Sequence, residues 1–143
     1  MATERTATVT WRGDLMSGSG EIEEVTSGAV GGLDVSWPAR SAEPGGKTSP
    51  EELIAAAWAA CFAMALSHGL AQAGNPPEKL ETSATVTFQP GEGIVRGALA
   101  VRGTVGDLDD AAFNEAADAA SRNCPVSKAL AGVPEVTVDA SLA

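Results

Sequence analysis

The chain has 143 residues, 44% of them hydrophobic and 20% charged. That fits one globular domain, residues 1–143, able to bury roughly 70% of the surface its unfolded chain exposes. The formal net charge is −10 and the nine Lys and Arg form no basic run, which argues against nucleic acid or an anionic membrane surface as partner. The opening MATERTATVTWRGDLM has no apolar h-region, and the longest strictly apolar run, Leu53 to Leu66, falls short of the roughly 20 residues a bilayer demands. A soluble, cytoplasmic protein without a membrane span is expected.

Residues 6–12 (TATVTWR) alternate polar and apolar and predict a strand. Residues 19–26 and 29–37 predict two more, punctuated by Gly28, Gly31 and Gly32, before the Pro- and Gly-rich loop 38–48. Ser49-Pro50-Glu51-Glu52 then reads as a capping box, with Ser at the N-cap, Pro at the first helical position and Glu two positions further on. The helix should run to about Ala73 and stop at Gly74-Asn75-Pro76-Pro77. Its middle is apolar on every face, which predicts a buried central helix. A chain of this size has little material to surround it, so a partner subunit is expected to help cover it.

Residues 81–89 and 94–105 predict a strand pair joined by Pro90-Gly91-Glu92-Gly93. Asp109 to about Arg122 predicts a helix, Pro125 opens a second, short one, and residues 135–142 form a final strand. The order is βββ-α-ββ-αα-β. Strands and helices come in blocks, which defines an α+β class rather than a repeated βαβ.

Chemistry is confined to few residues. Two cysteines, Cys61 and Cys124, one histidine and no CxxC argue against a tetrahedral zinc site within one chain, and no cofactor is expected. A reducing cytoplasm disfavours a permanent structural disulfide. Cys124 falls beside the N-cap of the helix that Pro125 opens, where backbone N–H groups lower a thiol pKa, with Arg122 and Lys128 near enough in sequence to help. It reads equally well as a buried, inert thiol. Cys61 sits in the apolar middle of the long helix, where burial raises its pKa. Read locally it is an ordinary core thiol, and it becomes reactive only if a positive charge is brought to it. His68 lies two turns on, about 10 Å along the axis, too far to be a direct base. Arginine, which stays charged when buried, is the better candidate.

The segment TSPEELIAAAWAACFAMALS, followed by NCPVSKAL, resembles the OsmC/Ohr family of osmotically induced and organic-hydroperoxide-resistance proteins, with the OsmC branch closest. The likeness runs from TVTWRGDLMSGSG through SWPARSAEPGGKTSPEEL to the last strand. It implies an OsmC-like fold of antiparallel sheets around a long buried central helix, in an intertwined homodimer with active sites at the subunit interface. It also implies a thiol-dependent peroxidase acting on organic hydroperoxides, and more weakly on hydrogen peroxide. By motif, Cys61 is then the peroxidatic thiol and Cys124 the resolving thiol. Arg40 of SWPARSAEP and Glu51 of PEEL are the pair that activates Cys61, and an external dithiol, a small thiol or a lipoylated protein, is the reductant. Trp58 stands where OsmC-type members often carry His.

About ten residues separate Glu51 from Cys61, roughly 15 Å along one helix, so the two cannot touch within a straight helix. Arg40 spans the gap, or Glu51 comes from the facing chain; the second agrees with an interface site. Trp58, Phe62, Met64 and Leu66 suggest an apolar pocket for the peroxide, although for most of them plain core packing is the better-founded reading. Replacing Arg40 by Ala is expected to leave the fold intact and the thiol slow. Two other readings are a non-catalytic dimer binding a small apolar ligand and a thiol redox sensor.

Overall fold

The computed structural model describes residues 1–143. Its elements are β1 (Ala7–Arg12), β2 (Ser19–Val25), β3 (Leu33–Val35), α1 (Trp37–Ser41), α2 (Pro50–Gln72), β4 (Lys79–Gln89), β5 (Gly93–Thr104), α3 (Asp110–Asn123), α4 (Pro125–Ala129) and β6 (Glu135–Leu142). The expected order holds with one addition, α1. Residues 29–37 were expected as a single strand, but only the three residues of β3 pair. Ser36 is extended and its Oγ accepts the Ala39 N–H at 3.2 Å, with Pro38 in the first turn. That N-cap and proline start a helix inside what alternation alone reads as strand.

The chain gathers into two compact units, Met1–Leu53 and Ile54–Ala143, with α2 running continuously across the boundary. The first unit holds an antiparallel sheet in the order β1-β2-β3. Gly20 sits opposite Trp11, where a Cβ would approach Trp11 Cε3 to 2.7 Å and Val35 Cγ2 to 2.9 Å. In this unit Ser49 caps α2 by accepting the Glu52 N–H at 3.1 Å. The Glu52 carboxylate takes a hydroxyl from Thr48 at 3.1 Å.

The second unit holds a sheet in the order β4-β5-β6. β4 and β5 form the expected antiparallel hairpin, turned by Gly91 at φ +86. β5 and β6 run parallel, which corrects the expectation of antiparallel sheets throughout. The reason is the connection: α3 and α4 form a helical crossover that returns the chain to the end from which β5 started, and only such a crossover permits parallel pairing.

α2 lays a stripe of Trp58, Phe62, Leu66 and Leu70 into the core of this unit, against Leu99, Val101, Phe113, Ala117, Ala120 and Cys124. The spacing of four residues keeps the stripe on one face. The opposite face stays open within the chain: Met64 is 72% exposed, and Ala56, Ala57 and Ala60 are exposed too. The expected buried central helix is therefore buried along one side only, because one sheet and α3 can cover only one side of a helix. By length and composition alone α2, with a mean hydropathy of 1.7, is apolar enough to cross a membrane. Its stripe instead belongs to the core.

Candidate active site

Cys124 is placed by two helices at once. Asp109 opens α3 by accepting the Ala112 N–H at 2.8 Å, and α3 buries Phe113, Ala117 and Ala120. Cys124 continues that face. Its N–H still donates to the Ala120 carbonyl at 2.9 Å, while its own carbonyl accepts the Lys128 N–H at 3.1 Å. It thus ends α3 and begins α4, and the thiol is fully buried. Cys61 is half-buried on α2, one turn after Trp58. Both thiols are free.

The two thiols lie near enough for each to shift the other's protonation. Burial pushes the Cys61 thiol up, the Cys124 sulfur adds to that, and the Val126 N–H opposes it. Burial acts upward on Cys124 as well, but it is outweighed there by the Cys61 thiol, the Ser127 N–H and hydroxyl, and the Val126 N–H, so Cys124 lies below the ordinary thiol value. These groups act on the sulfur through proximity rather than through an aligned capping bond, since none closes. Of the two thiols, Cys124 is therefore the one that gives up its proton more easily. Arg122 and Lys128, expected to assist it, are not among the groups that do. Val126 and Ser127 were the residues missed; the signal for them was their place in the first turn after Pro125.

This coupling is directly measurable, because the chain has no Tyr whose ionisation would mask thiolate absorbance in the ultraviolet. Titration should show two separated steps, one below and one above the ordinary thiol value, as interacting sites require. Cys124→Ala should leave only the upper step. A single step at the ordinary value would mean that the thiols do not interact.

In the first unit, Arg40 at the end of α1 meets Glu51 in the first turn of α2. Arg40 Nε lies 3.0 and 3.1 Å from the two Glu51 carboxylate oxygens, and Nη2 lies 2.8 Å from Oε1. Glu51, 7% exposed, is the single buried charged residue. Its place at the positive end of α2 and its two-pronged contact with the guanidinium compensate its burial. The Arg40 guanidinium also lies 6.0 Å from the centre of the Trp37 ring, at the edge of cation–π range. The pair thus forms within one chain.

The expected apolar pocket is not built as supposed. Trp58, Phe62 and Leu66 are 1%, 0% and 0% exposed and form core, while Met64 points outward. The i, i+4 spacing that aligns the first three commits them to the sheet. His68 is exposed, and no three His, Cys, Asp or Glu side chains gather as metal ligands.

The family model described as OsmC-like protein matches residues 43–139. The chain belongs to the OsmC family. It is 36% identical over 135 residues to the protein named peroxiredoxin OsmC of Escherichia coli K12, covering 92% of each chain, which fits the OsmC branch. It is 35% identical over 138 residues to the organic hydroperoxide resistance protein OhrB of Bacillus subtilis 168, covering 94% of this chain and 96% of that one. The crystal structure of B. subtilis OhrB superposes with a TM-score of 0.66 at 32% identity, over 96% of this chain and 98% of the other. The OsmC-like fold inferred from the two cysteine motifs is thus the fold observed.

Proposed function

We propose that this OsmC-family protein is a thiol-dependent peroxidase that reduces organic hydroperoxides to alcohols in oxidative and osmotic stress defence, as a cytoplasmic homodimer of single-domain subunits. One observation carries the reading: Cys61 and Cys124, far apart in sequence, are brought into mutual influence in a chain like proteins named peroxiredoxin OsmC and OhrB. The preference for organic peroxides rests on the relatives' names, since the supposed pocket residues are core.

Cys61 is the peroxidatic thiol. Its sulfur attacks the peroxide, the O–O bond breaks, and an S–O bond forms; sulfur loses two electrons, and the leaving alkoxide takes the proton that Cys61 gives up. Cys124 then attacks the Cys61 sulfenic acid, the S–O bond breaks, the S–S bond forms, and the oxygen leaves as water, taking the proton that the Cys124 thiol gives up. Resolution outruns further oxidation to sulfinic acid. An external dithiol, a small thiol or a lipoylated protein, reduces the disulfide by exchange and is itself oxidised. No bound cofactor takes part.

Arg40, oriented by Glu51, stabilises the attacking thiolate and polarises the peroxide oxygens. The roughly 15 Å along α2 between Glu51 and Cys61 favours a site in which the pair serves the thiol of the facing subunit. The open, alanine-rich face of α2 favours a second copy as its cover.

Free-thiol counting tests the function. One equivalent of cumene hydroperoxide should remove two thiols per chain, and a dithiol should then sustain turnover. Loss without turnover would make the protein a redox sensor, and no loss would leave a non-catalytic ligand-binding dimer. Equal or faster reaction with hydrogen peroxide would overturn the organic preference.

A further inference from the structure

The Trp58 side chain is 1% exposed and lies over Gly97, where an added Cβ would run into its ring. Its Nε1 donates to Ser127 Oγ at 2.8 Å, across the unit from α2 to α4. A buried indole N–H commonly finds a partner, so the bond by itself says little. The position of that partner says more. Trp58 stands one turn before Cys61, and Ser127 stands one turn after Cys124. α4 has five residues, none of them buried, so it has few anchors, and this bond ties it directly to the helix carrying the first thiol.

The donor inventory fixes the direction of the contact. Indole nitrogen only donates, so Ser127 Oγ accepts, and the single hydroxyl proton of Ser127 stays available for another acceptor. The Ser127 hydroxyl lies near enough to the Cys124 sulfur to help hold that thiol below its ordinary value, without closing an aligned capping bond. We infer that the Trp58–Ser127 hydrogen bond is a positioning device for the second thiol: it ties α4 to α2 and leaves the Ser127 hydroxyl free for the Cys124 sulfur, so that Cys124 is held ready to close on Cys61. Trp58 and Ser127 act through Cys124 and touch no reacting atom of the peroxide. The inference rests on the proposed peroxidase reading for the step it serves. In that step the Cys124 sulfur attacks the Cys61 sulfenic sulfur, S–S replaces S–O, and the oxygen departs as water.

The test uses Trp58→Phe, which keeps an aromatic ring and removes the N–H, with Ser127→Ala and Ser127→Thr. Two readouts are taken on the full-length protein. The lower step of the thiolate titration should move up in Trp58→Phe and Ser127→Ala and stay in place in Ser127→Thr. After one equivalent of cumene hydroperoxide, disulfide closure should slow about tenfold in the first two, the equivalent of one hydrogen bond to a charged group. With an excess of the hydroperoxide, which supplies the second equivalent that sulfinic acid needs, mass spectrometry should show Cys61 sulfinic acid accumulating in those two and not in Ser127→Thr. An unmoved titration and unchanged closure in Ser127→Ala, a variant that removes only a hydroxyl, overturn the inference. The titration needs no peroxide chemistry. A shifted lower step in a protein that consumes no peroxide would sink the peroxidase reading while supporting the coupling of Trp58 and Ser127 to Cys124.

Discussion

Cys61→Ser is expected to lose peroxide reduction, on the order of a thousandfold or more, whereas Cys124→Ser should consume one equivalent of peroxide quickly, a second more slowly as its sulfenic acid is over-oxidised, and then stop. Without added thiol, the wild-type protein should end as an internal disulfide. Cys124→Ser should end as sulfenic and then sulfinic acid on Cys61, a gain of oxygen that intact-mass measurement reads directly. The outcome is not settled by acidity. Cys124 lies below the ordinary thiol value and Cys61 above it, which taken alone would make Cys124 the attacker. Access argues the other way, because Cys124 is fully buried and Cys61 is half-exposed. Nucleophilicity also falls as thiol pKa falls, with a Brønsted slope of about 0.4–0.5, so part of the advantage of a low pKa is lost. A sulfur that the peroxide cannot reach gains nothing from being ionised. Full oxidation of Cys124 in a Cys61→Ser background would reverse the assignment.

Arg40→Ala should cost about 2–3 kcal/mol of stability, read as a lower urea midpoint at unchanged slope, because it leaves the Glu51 carboxylate buried without its partner. The Glu51 side chain is 8% exposed and Arg40 33%, so the loss falls below that of a fully buried pair. A lower midpoint at unchanged slope leaves the fold itself in place, as the sequence-based expectation for Arg40→Ala has it. Adding Glu51→Gln should recover part of the loss, since no charge then remains buried. Lys79→Ala is the control. Lys79 and Glu81 approach more closely, at 2.6 Å, but both are largely exposed, and the midpoint should not move. If Arg40→Ala unfolds no earlier than Lys79→Ala, the pair does not stabilise the native chain. A stable Arg40→Ala protein that also keeps its full rate with cumene hydroperoxide would remove Arg40 from the proposed site. Mixing Glu51→Gln with Cys61→Ser subunits tests the facing-subunit arrangement: activity should return in the heterodimer, and its absence would place the pair and the thiol in one chain.

Much of the framework was legible because its signals are local. Ser49-Pro50 marks the start of α2 and Gly74 with two prolines its end, and alternation marks β1, β2, β4, β5 and β6. Ser36-Trp37-Pro38 was also a local signal, but it lay inside an apparent strand and α1 went unread. The inward face of α2 was illegible for a specific reason. Alanine fills so many of its positions that no hydrophobic stripe stands out from the pattern, and the sheet decides which residues are core. The supposed pocket failed on the same point, since the spacing of Trp58, Phe62 and Leu66 is that of a packed stripe as much as of a cavity wall.

By itself the sequence determined the α+β class, the family, and the apolar helix that raises Cys61; for Cys124 it offered a helix start that can favour charge and left a buried, inert thiol equally open. These follow from neighbours a few residues away. Only the tertiary structure decided that β6 runs parallel to β5, that Arg40 grips the Glu51 of its own chain, that the two thiols influence each other, and that Trp58 ties Cys61's helix to the turn after Cys124. Each of these is a contact between residues distant in the chain. In the second unit the direction of a crossover and the packing of one sheet bring them together, in the first the approach of α1 to the start of α2 does, and no local propensity encodes either.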